Sequence, residues 1–155
     1  MSPAIAISVT INPKGTFTTS VPGAVLFDDF DSVQNTAIGT ITGGFVHGPA
    51  PNGPGSPPAT GNFIVADGAL GTSLNVTVTL SDPVSYVGFA WGTPDPMNEV
   101  DVYNGSTLLG PFFGDFAIGA SAFTYYFDIH AGPGEAITQL VVEQHSCRPC
   151  GFLLL

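Results

Sequence analysis

The feature of this sequence that most narrows its fold is period-two alternation of apolar and polar residues. In Ser73-Leu-Asn-Val-Thr-Val-Thr-Leu80, the side chains Leu74, Val76, Val78 and Leu80 fall on one face of an extended chain, and Ser73, Asn75, Thr77 and Thr79 fall on the other. Successive side chains of a β-strand point to opposite faces, so this pattern predicts a half-buried antiparallel strand. The same rule puts Ile5, Ile7, Val9 and Ile11 inward with Ala6, Ser8 and Thr10 outward. It also puts Phe123, Tyr125, Phe127 and Ile129 inward with Thr124, Tyr126, Asp128 and His130 outward. Val84-Ser-Tyr-Val-Gly-Phe-Ala-Trp91 is apolar on both faces apart from Ser85, which predicts a central strand covered on each side.

Shorter strand candidates are 16–20, 24–27, 37–46, 62–66, 99–103, 106–113, 136–143 and 151–155. Turn residues separate them at Pro22-Gly23, Gly43-Gly44, Ser81-Asp-Pro83, Asn104-Gly105 and Gly132-Pro-Gly134. Asn104-Gly105 is the strongest hairpin signal, on the expectation that both residues occupy the centre of a tight turn at positive φ. With 20 glycines, 14 prolines and only 9% charged residues, long helices are disfavoured and a charged disordered chain is excluded. Many short strands at this spacing imply a sandwich or barrel, and the fold class expected is all-β: an antiparallel two-sheet sandwich, with little or no helix. A chain of 155 residues suits one domain with one continuous core, spanning 1–155. Its one discordant stretch is the Pro/Gly-rich loop at 47–61, which starts at His47-Gly-Pro-Ala-Pro and lacks the donors for a regular ladder.

Twelve acidic residues against Lys14 and Arg148 give a net charge of −10. Nucleic acid is excluded as a partner on this ground, since phosphate binding needs clustered cations. An anionic membrane surface is excluded likewise. No apolar run reaches the roughly 18 residues a spanning helix needs, so direct membrane insertion is not expected. Met1-Ser-Pro-Ala-Ile-Ala-Ile7 has no basic start, but Asn75-Val-Thr77 and Asn104-Gly-Ser106 match the glycosylation acceptor pattern. We therefore expect a secreted or cell-surface protein whose leader is not in this sequence.

Four segments resemble the extracellular domain of exosortase-sorted, PEP-CTERM surface proteins. They are Thr16-Phe-Thr-Thr-Ser-Val-Pro-Gly23, Ala59-Thr-Gly-Asn-Phe-Ile-Val65, Tyr86-Val-Gly-Phe-Ala-Trp-Gly-Thr-Pro-Asp-Pro-Met-Asn98 and Val102-Tyr-Asn-Gly-Ser106. The resemblance covers roughly residues 8 to 143, most of the chain. It implies export, a lectin-like or galactose-binding-like jelly roll, and a place in the envelope, matrix or biofilm. It supplies no catalytic residues. The family's sorting tail, a Pro-Glu-Pro motif followed by a membrane helix and a basic end, does not occur in these 155 residues.

Several side-chain groups suggest chemistry. Asp28, Asp29 and Asp31 offer hard oxygen ligands for calcium, against the plainer reading of a solvated acidic turn. Trp91, Asp95, Asn98 and Tyr103 are candidates to line a sugar site, with aromatic faces stacking on a ring and amide or carboxylate groups reading hydroxyls. Trp91 reads equally well as core. Cys147-Arg-Pro-Cys150 with nearby His145 has redox or metal spacing; in an exported protein a local disulfide between Cys147 and Cys150 comes first, then free thiols, then metal. No Gly-x-Ser-x-Gly, His-Glu-x-x-His or phosphate-binding loop is present, so no enzyme is expected. Ile5, Ile7, Val9 and Ile11 form a clean strand that is a candidate for donation to a neighbouring copy. The leading expectation is an extracellular surface or matrix protein that self-associates into a filament by strand donation. Its rival is a calcium-assisted carbohydrate-binding module whose partners are extracellular glycans.

Overall fold

The computed structural model describes residues 7–31, 36–47, 62–66, 75–92, 96, 98–114 and 124–144. Among them the chain forms β1 (Ile7–Ile11), β2 (Gly39–Gly43), β3 (Phe45–His47), β4 (Phe63–Val65), β5 (Asn75–Val84), β6 (Tyr86–Gly92), β7 (Asn98–Asn104), β8 (Thr107–Phe113), β9 (Thr124–Ala131) and β10 (Ile137–Gln144). No helix occurs among the described residues. The strands make a three-stranded sheet, β1-β9-β6, and a five-stranded sheet, β2-β5-β10-β7-β8, with every pairing antiparallel. A small β3-β4 pair stands beside them. The protein is an all-β sandwich.

Alternation puts the apolar rows where expected. Val76 and Val78 of β5, Val100 and Val102 of β7, and Leu140 and Val142 of β10 turn inward from the larger sheet. Phe89 and Trp91 of β6 and Phe127 and Ile129 of β9 face them from the smaller one. Leu80, Val87 and Tyr125 pack against this core half-buried, while Leu74 and Phe123 lie outside the described residues. The centre is aromatic: the Phe127 ring lies 5.1 Å from that of Trp91, 5.8 Å from Phe89 and 5.9 Å from Phe112. Each ring removes a large apolar area from water, and offset and tilted pairs add to that burial.

The turns depart from expectation in informative ways. The β7–β8 hairpin forms one residue later than predicted, since Asn104 pairs with Thr107 and the loop is Gly105-Ser106. Gly105 has φ 58° and no non-glycine residue near it has positive φ, so positive φ falls on the first loop position alone, as in a type II′ turn. A register shift between Val102 and Tyr103 accompanies it. The candidate strand 37–46 breaks into β2 and β3 at Gly43 and Gly44, both at positive φ. Segments 16–20 and 24–27 form no strand.

Val84–Trp91 is not one central strand. A bend at Ser85 divides β5 from β6, and β6 ends the order of its sheet among the described residues. Its outer face is apolar for another reason, given below.

Gly39 pairs with Leu80, and a Cβ there would overlap the backbone carbonyl oxygen of Thr79. A main-chain atom in a ladder has little room to yield, so Gly39→Ala should cost about 1–2 kcal/mol in chemical denaturation and loosen the edge strand β2. Unchanged stability would mean that β2 lies farther from β5.

Candidate functional site

The most developed polar site lies on the outer face of the smaller sheet, around Asp128. The outward residues of β9 are Tyr126, Asp128 and His130; opposite them on β6 stand Ala90, Gly88 and Tyr86, and on β1 stand Thr10 and Ser8. Alternation predicts that this row is wet, yet Tyr126 and Asp128 are buried. The cover is the chain leaving β1. Asn12 continues the ladder by donating its backbone N–H to the Tyr126 carbonyl at 2.8 Å. Its Nδ2 donates to the same carbonyl at 3.0 Å and to Asp128 Oδ2 at 2.7 Å. The segment then turns at Pro13–Thr16, closed by Thr16 N–H on the Pro13 carbonyl, and returns across the sheet. There the Thr19 hydroxyl donates to Asp128 Oδ1 at 3.2 Å. The Tyr86 hydroxyl donates to the same oxygen at 2.6 Å and lies 2.6 Å from Thr19 Oγ1.

A buried carboxylate is tolerable only when its oxygens are occupied, and here both are. Burial raises the Asp128 carboxyl, but hydrogen bonds from Tyr86, Asn12 and Thr19, with His130 nearby, outweigh it and hold the group below the ordinary carboxylate range. Burial first, and then the bond to Asp128, push the Tyr86 phenol above its usual range. Tyr126 is raised chiefly by burial. Gly88 makes the cluster possible: a Cβ there would overlap the Tyr86 hydroxyl and come within 2.8–2.9 Å of the Tyr126 ring and hydroxyl. Gly88, in phase with Ala90, keeps this face of β6 free of bulk where the Tyr86 hydroxyl and the Tyr126 ring meet.

The expected sugar site does not assemble. Trp91 is 0% exposed and packs edge-on against Phe112, so its face is closed to a ligand. Asn98 is also fully buried, on the inward side of β7 with Val100 and Val102. Tyr103 lies on the opposite, outer face with Glu99 and Asp101, as alternation predicts. Its hydroxyl donates to Asp101 Oδ2 at 3.0 Å, a bond that raises its phenol. Trp91 and Tyr103 thus stand on opposite sides of the larger sheet, and Asp95 lies outside the described residues.

At the acidic turn, Asp28 Oδ1 accepts from the Phe30 N–H at 2.6 Å and Asp29 Oδ1 from the Asp31 N–H at 3.0 Å. Asp31 Oδ1 accepts from the Asn62 N–H at 2.9 Å. Asn62 Nδ2 in turn donates to the carbonyl of Phe30, whose φ is 57°. The carboxylates shape a turn and tie it to the start of β4. Among the described residues no three of His, Cys, Asp or Glu converge as a metal site.

Ile7 and Val9 pack on the core while Ile11 is 44% exposed; Ile5 lies outside the described residues. So do Cys147, Cys150 and His145. Of the two acceptor asparagines, Asn75 Nδ2 donates to Glu143 Oε1 at 2.9 Å on a sheet face, and Asn104 Nδ2 donates to Glu135 Oε2 at 3.2 Å beside the hairpin turn.

No family model matches the chain, no curated protein matches it, and no solved structure matches it.

Proposed function

We propose that this protein is an extracellular surface or matrix protein whose sandwich, of jelly-roll type, self-associates by donating its first strand to a neighbouring copy. The observation that carries the reading is the position of β1. Among the described residues it is an edge strand laddered to β9, running from Ile7 opposite Ala131 to Ile11 opposite Phe127. The same strand from a second copy would make the same bonds, so exchange costs nothing in contacts. If the exchange runs head to tail without closing, it builds a filament. The acidic, lysine-poor composition and the resemblance to exosortase-sorted surface proteins support placement outside the cell. The reading is non-enzymatic. Electron microscopy of the native material should show filaments, and deletion of residues 4–11 should abolish them, leaving monomer or aggregate. A deletion variant that still forms the native assembly would contradict strand donation.

One observation favours a second reading, carbohydrate binding. The outer face of the larger sheet places Tyr103 beside Asp101 and opposite Gln139, whose Nε2 donates to Thr79 Oγ1 at 3.2 Å. An aromatic edge among amide, hydroxyl and carboxylate groups suits a sugar. Tyr103→Ala should then remove binding on a glycan array. If calcium assists, it should raise the melting temperature and Asp29→Asn should cancel the rise; identical melting in calcium and in chelator would exclude that part.

A further inference from the structure

Strand donation as proposed above concerns β1, but β1 does not end its attachment at Ile11. Beyond it, Asn12, Thr16, Thr19 and Val21 carry the chain back over the face that β1 borders. Asn12 and Thr19 tie 12–21 to the β9-β6 sheet, at Tyr126, Asp128 and Tyr86. Within the segment, Thr16 Oγ1 donates to the Pro13 carbonyl at 2.6 Å, and the Val21 N–H donates to Thr19 Oγ1 at 3.0 Å. After Val21 the character of the chain changes. Pro22-Gly23-Ala24-Val25-Leu26 is exposed throughout, turns at Gly23 with φ 79°, and among the described residues its backbone bond is from the Ala24 N–H to the Val21 carbonyl at 3.3 Å. Contact with the core resumes at Phe27.

Two further observations fit a hinge at 22–26. Val25 and Leu26 are 71% and 56% exposed, an apolar pair that a lone copy leaves in water. Two such hinges running side by side would cover each other. The attachment also has a single centre. Asp128 receives bonds from both ends of the segment, Asn12 and Thr19.

We propose that the unit supplied by a second copy is the whole arm, residues 7–21, hinged at 22–26, and that Asp128 is the latch that decides whether the arm stays docked. This rests on the strand-donation reading for its partner but not for its mechanics. When the arm leaves, β9 loses its ladder along Phe127–Ala131 and Asp128 loses two of its three donors. Another copy's arm carries the same groups and fits both vacancies.

Amide exchange read by mass spectrometry tests the mechanics on the full chain. In Asp128→Asn, peptides from 7–11 and from 12–21 should lose protection together, tenfold or more, while β5, β7 and β10 keep theirs. Thr19→Ala, a milder change at the other end of the latch, should loosen both halves together by a smaller factor. Loss confined to 7–11, or an equal loss over the whole chain, would overturn the arm. Deleting Ala24–Leu26 then tests the partner. It removes about 10 Å of reach, so the arm no longer seats on its own chain, and the variant should run as dimers or larger. If the arm peptides open together but this variant remains a folded monomer, the arm stands and strand donation falls.

Discussion

Phe127→Ala should cost about 3–5 kcal/mol of folding stability. The ring is 1% exposed and lies within 6 Å of Phe89, Trp91 and Phe112, which come from both sheets. Removing it leaves a cavity at the contact between sheets, where rigid aromatic neighbours collapse poorly. Urea denaturation followed by Trp91 fluorescence reads the loss and the environment of the indole together. A cost below about 1 kcal/mol would place the ring at the surface and reverse the inward phase of β9.

Asp128→Ala should cost about 3 kcal/mol, because the bonds that the Tyr86 hydroxyl, the Asn12 amide and the Thr19 hydroxyl make to the carboxylate are lost together in a covered site. The pH dependence has a definite sign. The folded carboxyl titrates below its unfolded value, so folding favours the charged form. Its contribution is complete above the ordinary carboxylate pKa, about 4, and is lost as pH falls through the lower folded value. The groups facing it are Tyr86 from β6 and Tyr126 and His130 from β9; the arm contributes the neutral Asn12 and Thr19. The stability gap between the protein and Asp128→Asn, measured by thermal melts, should narrow as pH falls below about 4. A gap independent of pH down to 2 would mean that the carboxylate is not held by these donors.

Much of the fold was legible in the residues. Alternation at 73–80 and 123–130 identified the inward rows of β5 and β9, because a buried face at period two admits one register only. What alternation misread shares one cause. It assigns a face as wet or dry from the strand alone, and a covering segment changes the answer. Tyr126 and Asp128 look like solvent residues by phase, and the apolar outer face of β6 looks like a central strand, until 12–21 is laid across both. The cover carries no periodicity of its own: Thr16-Phe-Thr-Thr-Ser20 resembles a strand and forms none. Gly88 was the available signal, since a glycine inside an apolar strand marks a close approach, here of two tyrosines. The hairpin at Gly105 was placed one residue early because Asn-Gly favours the I′ turn, while pairing of Asn104 with Thr107 commits the chain to II′.

Trp91 and Tyr103, grouped as one sugar site, stand apart for a related reason. They were grouped by closeness in the sequence and by chemistry, whereas β6 and β7 belong to different sheets and present these residues to different sides. The acidic turn reads from spacing either as calcium ligands or as a solvated turn. Its carboxylates accept from main-chain N–H groups two residues on, and from Asn62, partners that spacing within Phe27–Ser32 does not reveal.

The most direct measurement is a covalent trap across the β1–β9 ladder. Ser8 and His130 are register partners on the outer face, at the Cα separation that a cross-strand pair shares with a disulfide. With Cys147 and Cys150 replaced by Ser, the Ser8→Cys, His130→Cys variant is assembled, oxidised and run on a denaturing gel without reductant. Strand donation predicts a ladder of covalently linked chains that collapses to monomer on reduction and deepens with protein concentration before oxidation. Oxidised chains that migrate as single, internally bridged monomers, although the assembly was intact when oxidised, would show that each copy keeps its own first strand.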